Sequence, residues 1–324
     1  MTNILTPETV DFDNYIPKSE HAADVLPAYS YADKVIDYFN GRLGAKGSTL
    51  PWSKTHHDIK LRPGEVSIWT GRNFSGKSQL IGQAMLGCIQ QEERVIIASM
   101  EMKPHVTIAR MTRQASGGRD PADDFTNAFL KWCGDRLWLY NQTGSLTPQR
   151  IIGVARYCGD GILHHGNRLK MNHMVIDSLM KCGLKNDDYT GQKDFVNELC
   201  TIAMDTGLHI HLVVHQNKTS EEAHIGDRYG VKGASEITDQ ADNCFIVWRN
   251  RAKERIKQMP ASMLDKGDED MLQMHDAVLR VDKQRHGEFS GDFSLWFHED
   301  SMQFVAGEGY RPIEFFKYSR GVVL

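Results

Sequence analysis

The chain has 324 residues, 25% charged and 40% apolar, which is enough for one large α/β domain with extensions. A net charge of −4 argues against a wholesale basic surface but leaves room for a local basic groove. Cysteines are scattered with no C-x-x-C pair, as free thiols of a reducing compartment would be; no signal peptide or membrane-length apolar run occurs, so a cytoplasmic protein without a membrane partner is expected.

Residues 1–28 read as a polar, flexible arm containing Pro7, Pro17 and Pro27. From Ser30 the pattern turns amphipathic. Val35, Ile36, Tyr38, Phe39 and Leu43 share one helical face, with Ser30 placed to cap the helix and Gly44 to stop it. This helix and a Gly/Ser/Pro-containing connector fill residues 29–58, and the pattern allows the helix to pack on its own domain or on a neighbouring subunit. Across 59–306 strand and helix patterns alternate. Val66–Thr70 reads as a strand, Lys77–Gln91 as a helix, and Arg94–Ser99 as an apolar strand covered on both faces. Helices follow at Pro104–Ala115, where Pro104 suits the first turn, and at Asp123–Cys133. A short strand at Leu137–Tyr140 and a helix at Pro148–Cys158 come next, then a strand, His173–Ile176, that runs into Asp177. Lys193–Asp205 is helical, His209–Val214 a strand, Ile237–Asp242 a helical turn and Phe245–Trp248 a strand. This alternation predicts a mainly parallel, doubly wound α/β sheet with helices on both faces. Residues 251–274 break the rhythm as a charged surface insertion. Ala277–Asp282 and Phe293–Phe297 alternate in period two around Gly287 and Gly291, an antiparallel hairpin closing the sheet. Residues 307–324 are a tail without a readable pattern.

One stretch carries specific chemistry. After the strand Val66–Thr70 comes Gly71-Arg72-Asn73-Phe74-Ser75-Gly76-Lys77-Ser78, a match to G-x-x-x-x-G-K-[ST], and a helix follows it. Gly71 and Gly76 let the backbone curl so that successive N–H groups face one anion, and the helix adds its positive end. Lys77 can reach the β- and γ-phosphates, and the Ser78 hydroxyl can ligate Mg²⁺, so ATP or another nucleoside triphosphate with Mg²⁺ is the expected ligand. Met174-Val175-Ile176-Asp177 is an apolar strand ending in a carboxylate, placing Asp177 as the second Mg²⁺ handle. Glu101 in Ser99-Met100-Glu101-Met102 stands where a strand's carboxyl end would offer a general base to water.

The order of the segments GRNFSGKS, SMEM, MVIDS and VVHQNK, followed by GVKGASEITDQADNCFIVWRN and LRVDKQRHG, resembles RecA-like replicative DNA helicases of the DnaB and phage helicase-primase (Twinkle-like) type. The resemblance spans roughly Leu61 to Phe304, and the S-x-E-M step and late K-x-R-x-G are its specific parts. It implies a RecA-like P-loop ATPase fold and an ATP-dependent helicase of DNA replication. It also implies a homo-oligomeric ring, a hexamer, translocating on single-stranded DNA with ATP between subunits. Glu101 matches the catalytic glutamate and His215 the γ-phosphate sensor. Lys283 and Arg285 match the pair reaching a neighbour's γ-phosphate, with Arg285 the arginine finger, and Arg249 with Phe297 match a sandwich for the base. Lys218, Arg228 and Lys232 fall in the loop that would track the DNA backbone; Lys181 and Lys185 fall in a second such loop.

The chain departs from that pattern in having no room for an appended zinc-binding or primase domain or a helical collar, so a primase or polymerase would act in trans. The helix near Ser30–Leu43 matches the place of one that docks on the next subunit. A RecA-type recombination or repair filament, and an ATP-gated scaffold or loader for a separate helicase, stand as alternatives.

Overall fold

The computed structural model describes residues 27–40, 47–142, 144–185, 187–216, 225–231, 236–319 and 322–323. The chain divides into two units, Met1–Lys46 and Gly47–Leu324. In the first, a 3-10 turn over Ala28–Tyr31 leads into helix α1 (Ala32–Phe39). Ser30 therefore lies inside that turn rather than capping the helix, while Leu43 and Gly44 lie outside the described residues. Val35, Ile36 and Phe39 of α1 are exposed.

The second unit follows the expected alternation. Its elements are β1 (Val66–Thr70), α2 (Lys77–Gln90), β2 (Val95–Ser99), α3 (Pro104–Ser116), α4 (Asp123–Cys133), β3 (Leu137–Leu139) and α5 (Pro148–Asp160). A small hairpin, β4 (Ile162–His164) and β5 (Asn167–Leu169), precedes β6 (His173–Asp177), α6 (Tyr189–Thr206) and β7 (His209–Val213). Then come α7 (Glu236–Gln240), β8 (Asn243–Arg249), α8 (Arg251–Lys257), α9 (Lys266–Gln273), β9 (Ala277–Gln284), β10 (Gly291–His298) and β11 (Gln303–Val305), with a terminal pair β12 (Tyr318–Ser319) and β13 (Val322–Val323). The charged stretch 251–274 thus holds two short helices. The second starts with a capping box in which Asp265 and Asp268 each accept the other's backbone N–H.

Nine strands form one sheet in the order β11-β10-β9-β8-β1-β7-β6-β2-β3. From β8 to β3 the neighbours are parallel, and from β8 to β11 antiparallel. The β9–β10 hairpin pairs as expected, with Val281 opposite Gly291, but it does not close the sheet: β11 adds beyond it. Period two decides what each strand shows to each side. Trp69, Ile97, Val175, Val213 and Val247 face a core with α2, α3 and α4, while Ile68, Ile96, Ile176 and Leu212 face a core with α5 and α6. The connector ahead of β1 belongs to the first of these cores from Gly47 onward. Leu50 and Trp52 are buried, and the Trp52 indole donates to the Phe304 carbonyl at 2.7 Å. No helix among the described residues is long and apolar enough to cross a membrane.

Candidate functional site

Parallel strands side by side present their carboxyl ends along one edge, and the loops leaving those ends share a crevice. Here β1 sits between β8 and β7, while α2 carries the chain over to β2, beyond β6. Between them lies a cavity of ≈ 770 Å³ lined by Asn73–Gln79, Glu101, Arg110, Asp177, Met180, His215, Gln216 and Arg249. Residues far apart in sequence meet because register aligns the strands: Ser99 lies opposite Asp177, and Trp69 opposite Val213.

The phosphate loop needs its glycines. Gly71 has φ +149, and a Cβ there would come within 2.3 Å of the Val247 carbonyl oxygen. Gly76 has φ +88, with the Phe304 ring at 3.0 Å from a Cβ. Phe74 also adopts a left-handed conformation (φ 62), which is costly for an aromatic residue, and its side chain is 84% exposed. The loop is braced from outside by Arg251, whose Nη2 donates to the Asn73 carbonyl at 2.6 Å, and by Arg249, whose Nη1 reaches the Phe74 carbonyl at 3.5 Å. Arg249 also pairs with Glu254. Arg72 flanks the loop's outer side and contributes its carbonyl to Lys77.

Lys77 is 5% exposed, and its ammonium donates to the carbonyls of Gly71 and Arg72, both at 2.8 Å. Burial pushes its pKa down to about 8, against the pull of the Asp177 and Glu101 carboxylates. The Ser78 hydroxyl donates to Asp177 Oδ2 at 2.6 Å. Burial raises the Asp177 carboxyl, with Ser78, Lys77 and Arg110 opposing that rise. Glu101 is held by the Ser178 hydroxyl at 3.1 Å and lies 3.8 Å from His215 Nε2.

A triphosphate and Mg²⁺ fit these residues. A hydroxyl and a carboxylate in contact are the hard oxygen pair that Mg²⁺ takes from a protein alongside phosphates. Among the described residues the buried hydroxyls of Thr70 and Ser75 have no hydrogen-bond partner, and buried polar groups are normally satisfied.

Arg110, Gln79, Met180, Gln216 and Ser178 were not anticipated from the sequence. Arg110 had a readable signal. Thr107, Met111 and Gln114 of α3 are buried, and Arg110 falls on their face, a cation on a helix stripe otherwise turned to the core. The others depend on loops whose course no periodicity reveals.

Several expected site residues stand elsewhere. Phe297 does not meet Arg249 across the cavity. Its backbone N–H donates to Asp276 at 2.9 Å, its ring lies 5.3 Å from that of Phe304, and it lines a different cavity of ≈ 420 Å³. The expected base sandwich is therefore not assembled here, because β11 inserts Phe304 between Phe297 and the phosphate loop. Lys283 and Arg285, expected to act on a neighbouring copy, lie away from this chain's own cavity and grip the end of α7. Arg228 pairs with Asp282 at 4.0 Å and stacks over the Tyr229 ring. Lys181 ends a 3-10 turn directly after Asp177, and Lys185 is exposed just beyond it. Lys218 and Lys232 lie outside the described residues.

No protein-family model matches the chain. Its structure is similar to the ATPase domain of a phage helicase, with a TM-score of 0.66 and 15% identity over 86% of this chain and 99% of that one. It is also similar to a DnaB-like replicative helicase described with its interactions with primase (TM-score 0.63, 15% identity), over 84% of this chain and 66% of that one. At that identity the likeness speaks for the fold, and the fold of this chain is that of the RecA-like helicase ATPase domains.

Proposed function

We propose that the chain is an ATP-dependent DNA helicase of replication, a ring-forming motor that hydrolyses ATP at subunit interfaces while translocating on single-stranded DNA. One observation carries the reading: four strand ends bring Lys77 and Ser78, Asp177, Glu101 and His215 around a single cavity. Phosphoryl transfer to water needs a phosphate cradle, a metal handle and a group to position water, and the residues around this cavity supply a candidate for each.

In this reading a bound triphosphate takes over the Lys77 donors now resting on the loop's own carbonyls. Ser78 and Asp177 would hold Mg²⁺, which when bound neutralises charge on the phosphate oxygens. Glu101, oriented by Ser178, takes the proton of the attacking water. His215, next to Glu101, is placed to register whether a γ-phosphate is present. Arg285 of an adjacent copy supplies the remaining positive charge, a planar fork suited to the transition state. The likeness of the fold to helicase ATPase domains supports the same reading. Arg228, Lys181 and Lys185, with Lys218 and Lys232, would contact the DNA backbone, and a primase or polymerase would be a partner in trans.

The test is strand displacement on forked duplexes with 5′ and 3′ tails. ATP-dependent unwinding is expected, lost in Lys77→Ala. Filaments in electron micrographs would replace the reading with a recombination or repair ATPase, and tight ATP-dependent binding to a partner protein with no unwinding would replace it with a scaffold or loader.

A further inference from the structure

The two cations of the K-x-R segment are not equivalent. An ammonium has three N–H donors. Lys283 Nζ meets three backbone carbonyls, those of Thr238 at 3.0 Å, Asp239 at 2.7 Å and Ala241 at 2.8 Å. Thr238 and Asp239 lie in the last turn of α7 and Ala241 just beyond it, at the negative end of the helix dipole. Lys283 is partly buried among them and has no donor left over. Arg285 is arranged differently. Its side chain is 46% exposed; Nη2 donates to the carbonyls of Asp239 at 3.2 Å and Gln240 at 2.8 Å, and Nη1 pairs with Asp242 at 3.2 Å. Among the described residues, the Nε–H and one Nη1 hydrogen of Arg285 meet no acceptor.

Asp242 ties this arrangement to the sheet. Its Oδ2 accepts the Val66 N–H at 2.9 Å, where β1 begins, and its carbonyl accepts the Arg285 N–H at 2.8 Å. It is 8% exposed. One carboxylate therefore faces Arg285 with one oxygen and holds the first residue of β1 with the other, so the guanidinium is aimed from a rigid element rather than from a free hairpin.

We propose that Lys283 is a positioning residue and not a second phosphate ligand: it clamps the end of α7 into a carbonyl cradle, and that cradle together with Asp242 aims Arg285. Arg285 alone of the pair then reaches a phosphate on an adjacent copy. The inference rests on the reading that Arg285 acts between subunits, and it sharpens that reading by removing Lys283 from the chemistry and adding Asp242 to its support.

A double-mutant cycle on DNA-stimulated ATPase decides between a clamp and a second ligand. Arg285→Ala is expected to lower kcat on the order of 10³-fold. Lys283→Met and Asp242→Asn are each expected to lower kcat about tenfold with KM little changed, as loss of alignment does. In the Arg285→Ala background the same two changes should cost less than about twofold, because the residue they position is gone. A further loss of about tenfold for Lys283→Met in that background overturns the proposal, since Lys283 would then act by itself. A second arm needs no activity: amide hydrogen exchange of the nucleotide-free protein at Gln240 and Ala241. Lys283→Met should speed exchange there by about tenfold or more, and Arg285→Ala by less. Unchanged exchange in Lys283→Met overturns the clamp. Unimpaired kcat in Arg285→Ala overturns the shared-site reading instead, so the two failures are told apart.

Discussion

The strands β1, β6 and β7 carry polar residues at both ends, and the two ends differ in how those residues are satisfied. At the carboxyl ends stand Lys77, Ser78, Asp177 and His215 around an open cavity, with the Thr70 and Ser75 hydroxyls buried and, among the described residues, unpartnered. Nearer the amino ends, His173, His209 and His211 stack inside the protein, with ring centroids 4.4 Å apart for His209 and His211. Every neighbour there is supplied by the chain. Ser48 meets His173 at 3.1 Å, His173 meets His211 at 3.2 Å, Trp69 donates to His211 at 3.1 Å, Ser67 meets His209 at 2.7 Å, and the Arg62 carbonyl meets His209 at 2.6 Å. No group of three or more His, Cys, Asp or Glu residues among the described residues is arranged to hold a metal ion. A closed polar network specifies a core; an open one asks for a ligand. The open end gathers charged side chains and the closed end histidines, serines and an indole, so the two differ in composition as well as in closure.

That contrast can be broken by experiment. The largest effect is expected at the open end: Lys77→Ala should reduce ATP turnover on the order of 10³-fold while leaving the thermal midpoint close to wild type. Equal losses of turnover and stability would mean that the open end is structural too. At the closed end, His211→Ala orphans the Trp69 indole and the His173 ring, at about 1–3 kcal/mol for each group. It should lower the denaturant midpoint accordingly and leave ATP affinity unchanged in the folded fraction, as measured by equilibrium unfolding and nucleotide titration.

Acid provides a third test. Burial holds His173 and His211 well below the usual 6.5 and His209 at about 4. Unfolding exposes rings that bind protons below pH 6.5, so their contribution is full above that value and is lost as pH falls towards 4. Three such groups give a slope of up to about 4 kcal/mol per pH unit. Glu65, Glu93 and Asp177, whose carboxyls are raised by burial, oppose this and reduce the net slope. Denaturant unfolding between pH 7 and 4.5 measures the slope, and His209→Gln should reduce it by about one-third. The smallest effect belongs to Ser178→Ala. Losing the hydroxyl that holds Glu101 should lower kcat by about tenfold, one charge-assisted hydrogen bond, without moving the denaturant midpoint.

The two ends also differ in how readable they were. The phosphate loop is contiguous, so Gly71, Lys77 and Ser78 announce themselves, and Asp177 and Glu101 follow apolar runs that end in a carboxylate. The histidine stack gave no such signal, because His173, His209 and His211 become neighbours only when β6 and β7 pair in register. The antiparallel end was half legible. Period two announced β9 and β10, but β11, three residues long, is too short to show a period, and it is the strand that keeps Phe297 from the phosphate loop. The connector before β1 looked like a linker from its Gly, Ser and Pro; Trp52 buries itself there because a carbonyl from β11 meets its indole.

By itself the sequence determined the alternation of strands and helices, the parallel sheet and the phosphate loop, since local periodicity, loop chemistry and short motifs act within a few residues of one another. Only the tertiary structure decided the partners. Strand order brings Asp177, Glu101 and His215 to one cavity, and strand register closes the histidine network. The end of α7 holds Lys283 and Arg285 by different contacts. Those contacts join residues separated by tens to hundreds of positions, and the free energy that selects among them comes from burying and satisfying groups across the whole core.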